Sequence, residues 1–209
     1  MANVDTPQGL VPVRYLNGAP YNGQCNPYYH VATDAAALFI GSPVTATGQN
    51  NAAAVGNYKI GQLETVKHAA AAGNTPPIVG VVVAVDPLEG AAGVGRDSTI
   101  YCAASTERVV WVADDPMIVF QMQEDDDAAA IALTDAGLNF DMIATSAGST
   151  TTGLSGWEID SSSGVATATS DLQLLGISKV DNNDFGGGFV KWDVRINLHR
   201  FNFGTLGIA

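Results

Sequence analysis

The chain has only two cysteines, Cys25 and Cys102, and three histidines, His30, His68 and His199. Two cysteines are too few for a disulfide framework or a cysteine-rich metal site. They are read as reduced, inert thiols, although parity alone would allow one bridge. No histidine shows His-x-x-x-His or His-x-Glu spacing, and a zinc centre needs three or four such ligands. No metal, cofactor or catalytic base is therefore expected. Bases are scarce too: 9 Lys and Arg against 21 Asp and Glu give a formal net charge of −12. A phosphate backbone would be repelled, and no stripe of bases interleaved with aromatics offsets this, so no nucleic acid partner is expected. The longest apolar stretch, Ile78 to Val85, is too short to span a bilayer. The N-terminus lacks the basic and apolar regions of a secretory signal. No membrane partner is expected.

Catalytic motifs are equally sparse. Gly90 to Gly95 has the glycine spacing of a phosphate loop, but Arg96 and Asp97 stand where Lys and Ser/Thr would be needed, so a loop between strands is the simpler reading. Glu124 to Asp127 is the densest charge run. Its acids are consecutive and followed by Ala128, rather than alternating around a central glycine as in a calcium loop, so they read as a solvated helix N-terminus. Glu158 and Asp160 would share a strand face, which gives a hydrolase reading with a carboxylate pair. Paired acids are expected anyway on so acidic a surface. Nothing resembling a Gly-x-Ser-x-Gly elbow occurs. No catalytic residue is assigned.

What is present is a core-forming composition. Of 209 residues, 46% are hydrophobic and 14% charged, which fits one globular domain with appendages. Ile78 to Val85 is β-branched and bounded by prolines, as a buried strand should be. Thr99–Ala103, Arg108–Ala113 and the alternating Met117–Gln123 follow as strands, the last with one wet face. Asp125–Leu133 is the one helix expected. Asn139–Thr145, Ser155–Asp160, Val165–Ser170 and Asp171–Val180 read as further short strands. In the last strand Trp192, Val194, Ile196 and Leu198 face one way, with Asp193, Arg195, Asn197 and His199 facing the other. Asp34–Val44 reads as a strand entering a turn, and residues 45–77 as a long Ala/Gly/Asn/Thr loop. The expectation is an all-β body, sandwich or barrel-like with one short helix, over residues 31–209.

Residues 1–30 differ from this body. They hold one acid, Asp5, and one base, Arg14, yet four of the nine prolines and four of the six tyrosines. Pro7, Pro12, Pro20 and Pro27 argue against a helix or a central strand, and Asn17-Gly18 and Asn22-Gly23 mark turns. The reading is an extended arm presenting Val11, Val13, Arg14, Tyr15, Leu16, Tyr21, Tyr28 and Tyr29 to its own body, a sister subunit or another protein. Tyrosine suits a place where the ring is dry and the hydroxyl meets a partner. The C-terminal stretch with Phe201 and Phe203 is too apolar to dangle in water and reads as a second docking element. Removing residues 2–24 is expected to leave a folded body. Among the tryptophans, Trp111 and Trp192 read as core, and Trp157 as the aromatic of an alternative carbohydrate- or receptor-binding module.

The opening Val4-Asp-Thr-Pro-Gln-Gly-Leu-Val-Pro-Val-Arg-Tyr-Leu-Asn-Gly-Ala-Pro-Tyr-Asn-Gly23 resembles the start of a family of tailed-bacteriophage virion proteins. Ala104-Ser-Thr-Glu-Arg-Val-Val-Trp-Val-Ala-Asp-Asp-Pro116, Leu133-Thr-Asp-Ala-Gly-Leu-Asn139 and Trp192-Asp-Val-Arg-Ile-Asn-Leu-His199 are similar to it too. Residues 45–75 and 86–97 are the least family-like. The resemblance implies a capsid decoration, or cement, protein made in the host bacterial cytoplasm and carried on the capsid exterior. It implies the major capsid protein as partner and self-association, a homotrimer before a dimer. It transfers no catalytic motif.

Overall fold

A computed structural model describes residues 3–74, 76–87, 99–127 and 130–203. In chain order the strands are β1 (Val11–Tyr15), β2 (Asn26–His30), β3 (Pro43–Asn50), β4 (Glu64–His68), β5 (Ile78–Val85), β6 (Arg108–Ala113) and β7 (Ile118–Gln123). Then come β8 (Asn139–Phe140), β9 (Met142–Ala144), β10 (Trp157–Ile159), β11 (Leu172–Ile177), β12 (Lys191–Ile196), β13 (Leu198–His199) and β14 (Asn202–Phe203). The helical content of the described residues is one 3-10 turn, Leu133–Asp135. The class is all-β, with sheets packed as a sandwich-like body.

One sheet is antiparallel in the order β1-β7-β12-β11-β8. A second runs β14-β13-β5-β3-β4-β2-β6, and β6 also pairs with β5. Strands β5, β3, β4, β2 and β6 thus close into a ring, which removes the free edges that an open sheet would leave. Strands β9 and β10 form a separate ribbon. The run Trp192–His199 belongs to both large sheets. Its first part is β12 beside β7 and β11, and after Asn197 it continues as β13, pairing in parallel with the start of β5.

Two large apolar clusters follow from this plan. Val44, Val66, Val79, Val82, Val110 and Val112 fill the barrel with Tyr28, Leu38 and Cys102. Trp157, Trp192, Phe120, Phe140 and Leu172 pack between the open sheet and the outer wall of the barrel, where Ile78, Val81 and Ala113 meet them. Strand β5 serves both clusters, which is why its sequence is a continuous apolar run instead of an alternating one.

Several sequence expectations are corrected. The arm is not separate from the body. Strand β1 is an edge strand paired with β7, consistent with Pro12, but β2 lies inside the ring between β4 and β6, with Pro27 opposite Trp111. A proline is tolerated there because the shared β2–β4 register covers only Tyr29 and His30, so no β4 residue lies opposite Pro27. Residues 45–77 are not one loop, since they contain most of β3 and all of β4; small residues suffice where the hydrogen-bond ladder and the barrel curvature do the ordering. Thr99–Ala103 and Val165–Ser170 form single bridges, Cys102 with Leu38 and Val165 with Asn139, but no strands. In Asp34–Val44, Leu38 and Ile40 likewise make single bridges, and the strand begins only at Pro43.

The helix at Asp125–Leu133 is not formed over its described residues. Instead Glu124 bridges Ile159 and takes its side chain into the core, accepting hydrogen bonds from the Ile131 amide and Trp192 Nε1. Burial of that carboxyl raises its pKa, offset in part by these donors. The second face of β7 is covered as well, Val119 and Gln123 being buried, as are Arg195, Asn197 and His199 in the final run. Gly90–Gly95 lies outside the described residues.

Candidate docking surface

The arm is fastened to the barrel by a close backbone crossing. Gly9 and Gly41 have φ of +68° and +92°, and the Leu10 amide donates to the Gly41 carbonyl at 3.0 Å. A Cβ on Gly41 would lie 2.1 Å from the Gln8 carbonyl oxygen, so only glycine allows the approach. Leu10 is thereby buried in the core.

Beyond Leu10 the arm forms a small hairpin. Tyr15 N–H donates to the Ala19 carbonyl and Tyr21 N–H to the Val13 carbonyl, so the returning chain covers part of the outer edge of β1. The Tyr15 and Tyr21 rings sit 6.1 Å apart. Their hydroxyls donate within the arm, to Asn22 Oδ1 at 3.2 Å and to the Gln24 carbonyl at 2.8 Å. Burial, with help from neighbouring groups, pushes the Tyr21 phenol up to about 12. Tyr28 donates to Asp114 Oδ2 at 2.8 Å, and burial followed by that carboxylate raises its pKa. Tyr29 is buried beside Leu63 and Val109. Arg14 pairs with Asp193 at 3.1 Å.

The tyrosines therefore brace the arm on its own body. Val11, Val13, Tyr15 and Tyr21 are half-buried, and Tyr28 and Tyr29 are closed off. This corrects the expectation that Tyr28 and Tyr29 face a partner.

Of the expected docking residues, Leu16 and Phe201 remain open, 40% and 59% exposed. Met117, 45% exposed, joins them, because the Leu16 amide donates to the Met117 carbonyl at 2.8 Å. Phe201 packs on the His199 ring at 5.7 Å with Arg200 over its face. His199 in turn feels the charges of Asp114 and Asp115, in the turn just before Met117. Leu16 and Met117 thus adjoin at one end of the β1–β7 pair, while Phe201 lies on the C-terminal hairpin beside His199. Phe203 lies in β14 opposite Leu198. Beside the arm is a cleft of about 290 Å³ lined by Leu10, Val11, Pro12, Tyr21, Ile40 and Val82, among others. Met117 carried no signal in the sequence beyond its place after a turn. The Asn17-Gly18 turn does foretell that the arm doubles back.

Chemistry that sequence distance concealed lies elsewhere. His30 Nε2 is 3.1 Å from Asp34 Oδ2, and Nδ1 is 2.9 Å from the Thr106 carbonyl and 3.2 Å from Cys102 Sγ. With the Thr106 carbonyl and the Asp34 carboxylate at its two nitrogens, the site favours the imidazolium. Burial opposes that charge, but Asp34 and the other partners outweigh it and lift the pKa to about 9. Asp34 itself, despite burial, is held down at about 2 by His30 and by the amides of His68 and Ala36. The Cys–His–Asp order imitates a thiol catalytic triad, with Cys102 and His30 both fully buried. Both cysteines are free thiols.

Trp157 is also buried, with Nε1 donating to His68 Nε2 at 3.1 Å, and presents no surface for a sugar. Glu158 is buried and accepts from Gln123 Nε2 and Thr145 Oγ1, while Asp160 lies past the end of β10. The two acids do not form an open pair. Asp160 instead meets Asp125 and Asp127, one carboxylate oxygen of each lying within 4.8 Å of the others.

Comparison of the chain with protein-family models, curated proteins and solved structures finds no match.

Proposed function

We propose that this protein is a structural virion protein that binds the outer surface of a phage capsid and stabilises the shell. The reading rests on the sequence resemblance, and the observation that carries it is the apolar corner formed by Leu16 and Met117, with Phe201 exposed on the C-terminal hairpin. Exposed apolar side chains from two segments far apart in sequence, brought together at one corner, are the composition of a contact surface. The corner stands on strands whose neighbours are buried, so it is presented without an ordering cost. The cleft beside Leu10 and Tyr21 offers a socket for an apolar side chain of the shell protein.

The acid excess suits the outside of a shell, away from packaged DNA. Self-association, a trimer in this reading, would let several weak corners bind together and raise avidity by about 10² or more. The test is direct. Purified virions of the phage that encodes the chain are analysed by mass spectrometry and cryo-electron microscopy, and the expected result is a symmetric array on the shell exterior. Absence from virions, or an interior position, overturns the proposal.

A further inference from the structure

We propose that Asp125, Asp127 and Asp160 form a calcium site that ties the segment after β7 to the end of the β9–β10 ribbon. The backbone sets this up. The Asp125 amide donates to the Ile159 carbonyl at 3.1 Å, so the chain leaving β7 runs beside the chain leaving β10. Asp125 Oδ1 then accepts from the Ser161 amide at 3.1 Å. Asp126 does not join, because its carboxylate lies where a side chain on Gly188 would be. Asp125 and Asp127 instead meet Asp160 across the junction.

The decisive atom is Asp125 Oδ2. Asp125 is only 8% exposed, and this oxygen is buried with no hydrogen-bond donor. A buried carboxylate oxygen without a donor is costly, and two further carboxylates beside the Asp125 side chain increase the cost. Among the described residues no ion pair reaches any of the three. A cation supplies what the protein does not. Two oxygens sharing an ion at about 2.4 Å lie at most about 4.8 Å apart, and the three oxygens fall within that limit.

The ligand chemistry selects the ion. All the donors are carboxylate oxygens, with no nitrogen or sulfur, which suits a hard cation. Asp127 is exposed and Asp160 half-exposed, so waters can complete the six to eight ligands that calcium takes. Magnesium needs near-octahedral geometry and sheds water reluctantly, so a cluster of three protein carboxylates, one of them buried, fits it less well. Serine hydroxyls flank the site: Ser161 Oγ lies 3.4 Å from Asp127 Oδ1, and Ser162 Oγ donates to Asp160 Oδ1 at 2.6 Å. Calcium here would staple the ribbon, which has only two strands of its own, to the main body.

The full-length protein, stripped with EDTA, is titrated with calcium chloride by calorimetry and by thermal unfolding. One ion per chain is expected, with a rise in Tm of about 5 °C or more at saturation. Asp127→Asn and Asp160→Asn alter accessible groups, so they keep the fold by circular dichroism and weaken calcium binding about tenfold or more. Asp181→Asn, an exposed acid outside the trio, leaves binding unchanged. No heat and no Tm shift up to about 10 mM calcium, beyond even the weak extracellular calcium modules, would overturn the site. So would undiminished binding in both Asp127→Asn and Asp160→Asn. An equal response to magnesium chloride would overturn the assignment to calcium.

Discussion

The Leu16 amide donates to the Met117 carbonyl at 2.8 Å, which places two exposed apolar residues on adjoining strand ends. That bond closes the β1–β7 pairing and makes the arm part of a sheet. The same pairing changes what the arm can be asked to do on its own.

Deletion of residues 2–24 removes β1, uncovers the edge of β7 and takes Leu10 out of the core. Loss of one such buried side chain costs about 2–5 kcal/mol, and an uncovered edge invites aggregation. The expected outcome is a Tm lowered by roughly 10 °C or more, or insoluble protein. A truncated chain that melts like the full one would show the arm to be dispensable for the body.

Gly41→Ala tests how the arm is held. The new Cβ meets the Gln8 carbonyl oxygen and demands a positive φ of a non-glycine residue. A loss of about 3 kcal/mol is expected, or a Tm lower by roughly 6–12 °C. Gly18→Ala makes a useful comparison, since its Cβ would meet no atom. It should cost only the strain of its backbone conformation.

The buried His30–Asp34 pair sets a pH window. The folded pKa of His30 is raised to about 9, so its contribution is complete below the unfolded value near 6.5 and is lost as pH rises through 9. Asp34 is depressed to about 2, so its contribution is present above about 3.8 and is lost as pH falls through 2. Urea unfolding should show a decline in stability between about pH 6.5 and 9 that vanishes in His30→Gln. If the variant keeps that decline, the ring is not charged in the fold.

Asp171 and His199 pull in opposite directions on the acid side. Burial, offset in part by Asn74, raises Asp171 to about 6, so its contribution is present below about 3.8 and is lost as pH rises through 6. Burial holds His199 down at about 4, so its contribution is present above about 6.5 and is lost as pH falls through 4. Each shift is worth on the order of 3 kcal/mol, and in the wild type they oppose each other. Asp171→Asn should therefore expose a loss of stability from pH 6.5 to 4, and His199→Gln a gain. Flat profiles in both variants would refute this balance.

The strands were legible where side-chain pattern alone orders them. Val79, Val110 and Trp192 lie in runs bounded by prolines or turns, and β5, β6 and β12 stand close to where the sequence puts them. Strands β3 and β4 were hidden because Thr45, Ala46, Thr65 and Val66 owe their order to barrel closure, a property of no local window. Asp125–Asp127 mimicked a helix start because a local acid run does not reveal Asp160 across a sheet. The same long-range assembly hid His30 beside Asp34 and Cys102. On the docking surface, Leu16 and Phe201 were readable as apolar residues in turn-rich segments. Tyr28 and Tyr29 misled, since a proline-bearing segment entered a closed barrel.

Shell binding by this protein rests on the corner at Leu16 and Met117. Leu16→Asp combined with Met117→Asp changes exposed side chains, so the double variant should melt within about 2 °C of the wild type. Burying each wild-type side chain at a contact is worth about 1.5–3 kcal/mol, and a charge there adds a desolvation cost. The measurement is occupancy on capsids, by co-sedimentation of the protein with shells of the encoding phage that lack it. Wild type should bind at a fixed ratio to the shell protein, and the double variant at least about tenfold less at equal concentration. Full occupancy by the double variant, or no binding by the wild type, would contradict the proposed role of this corner.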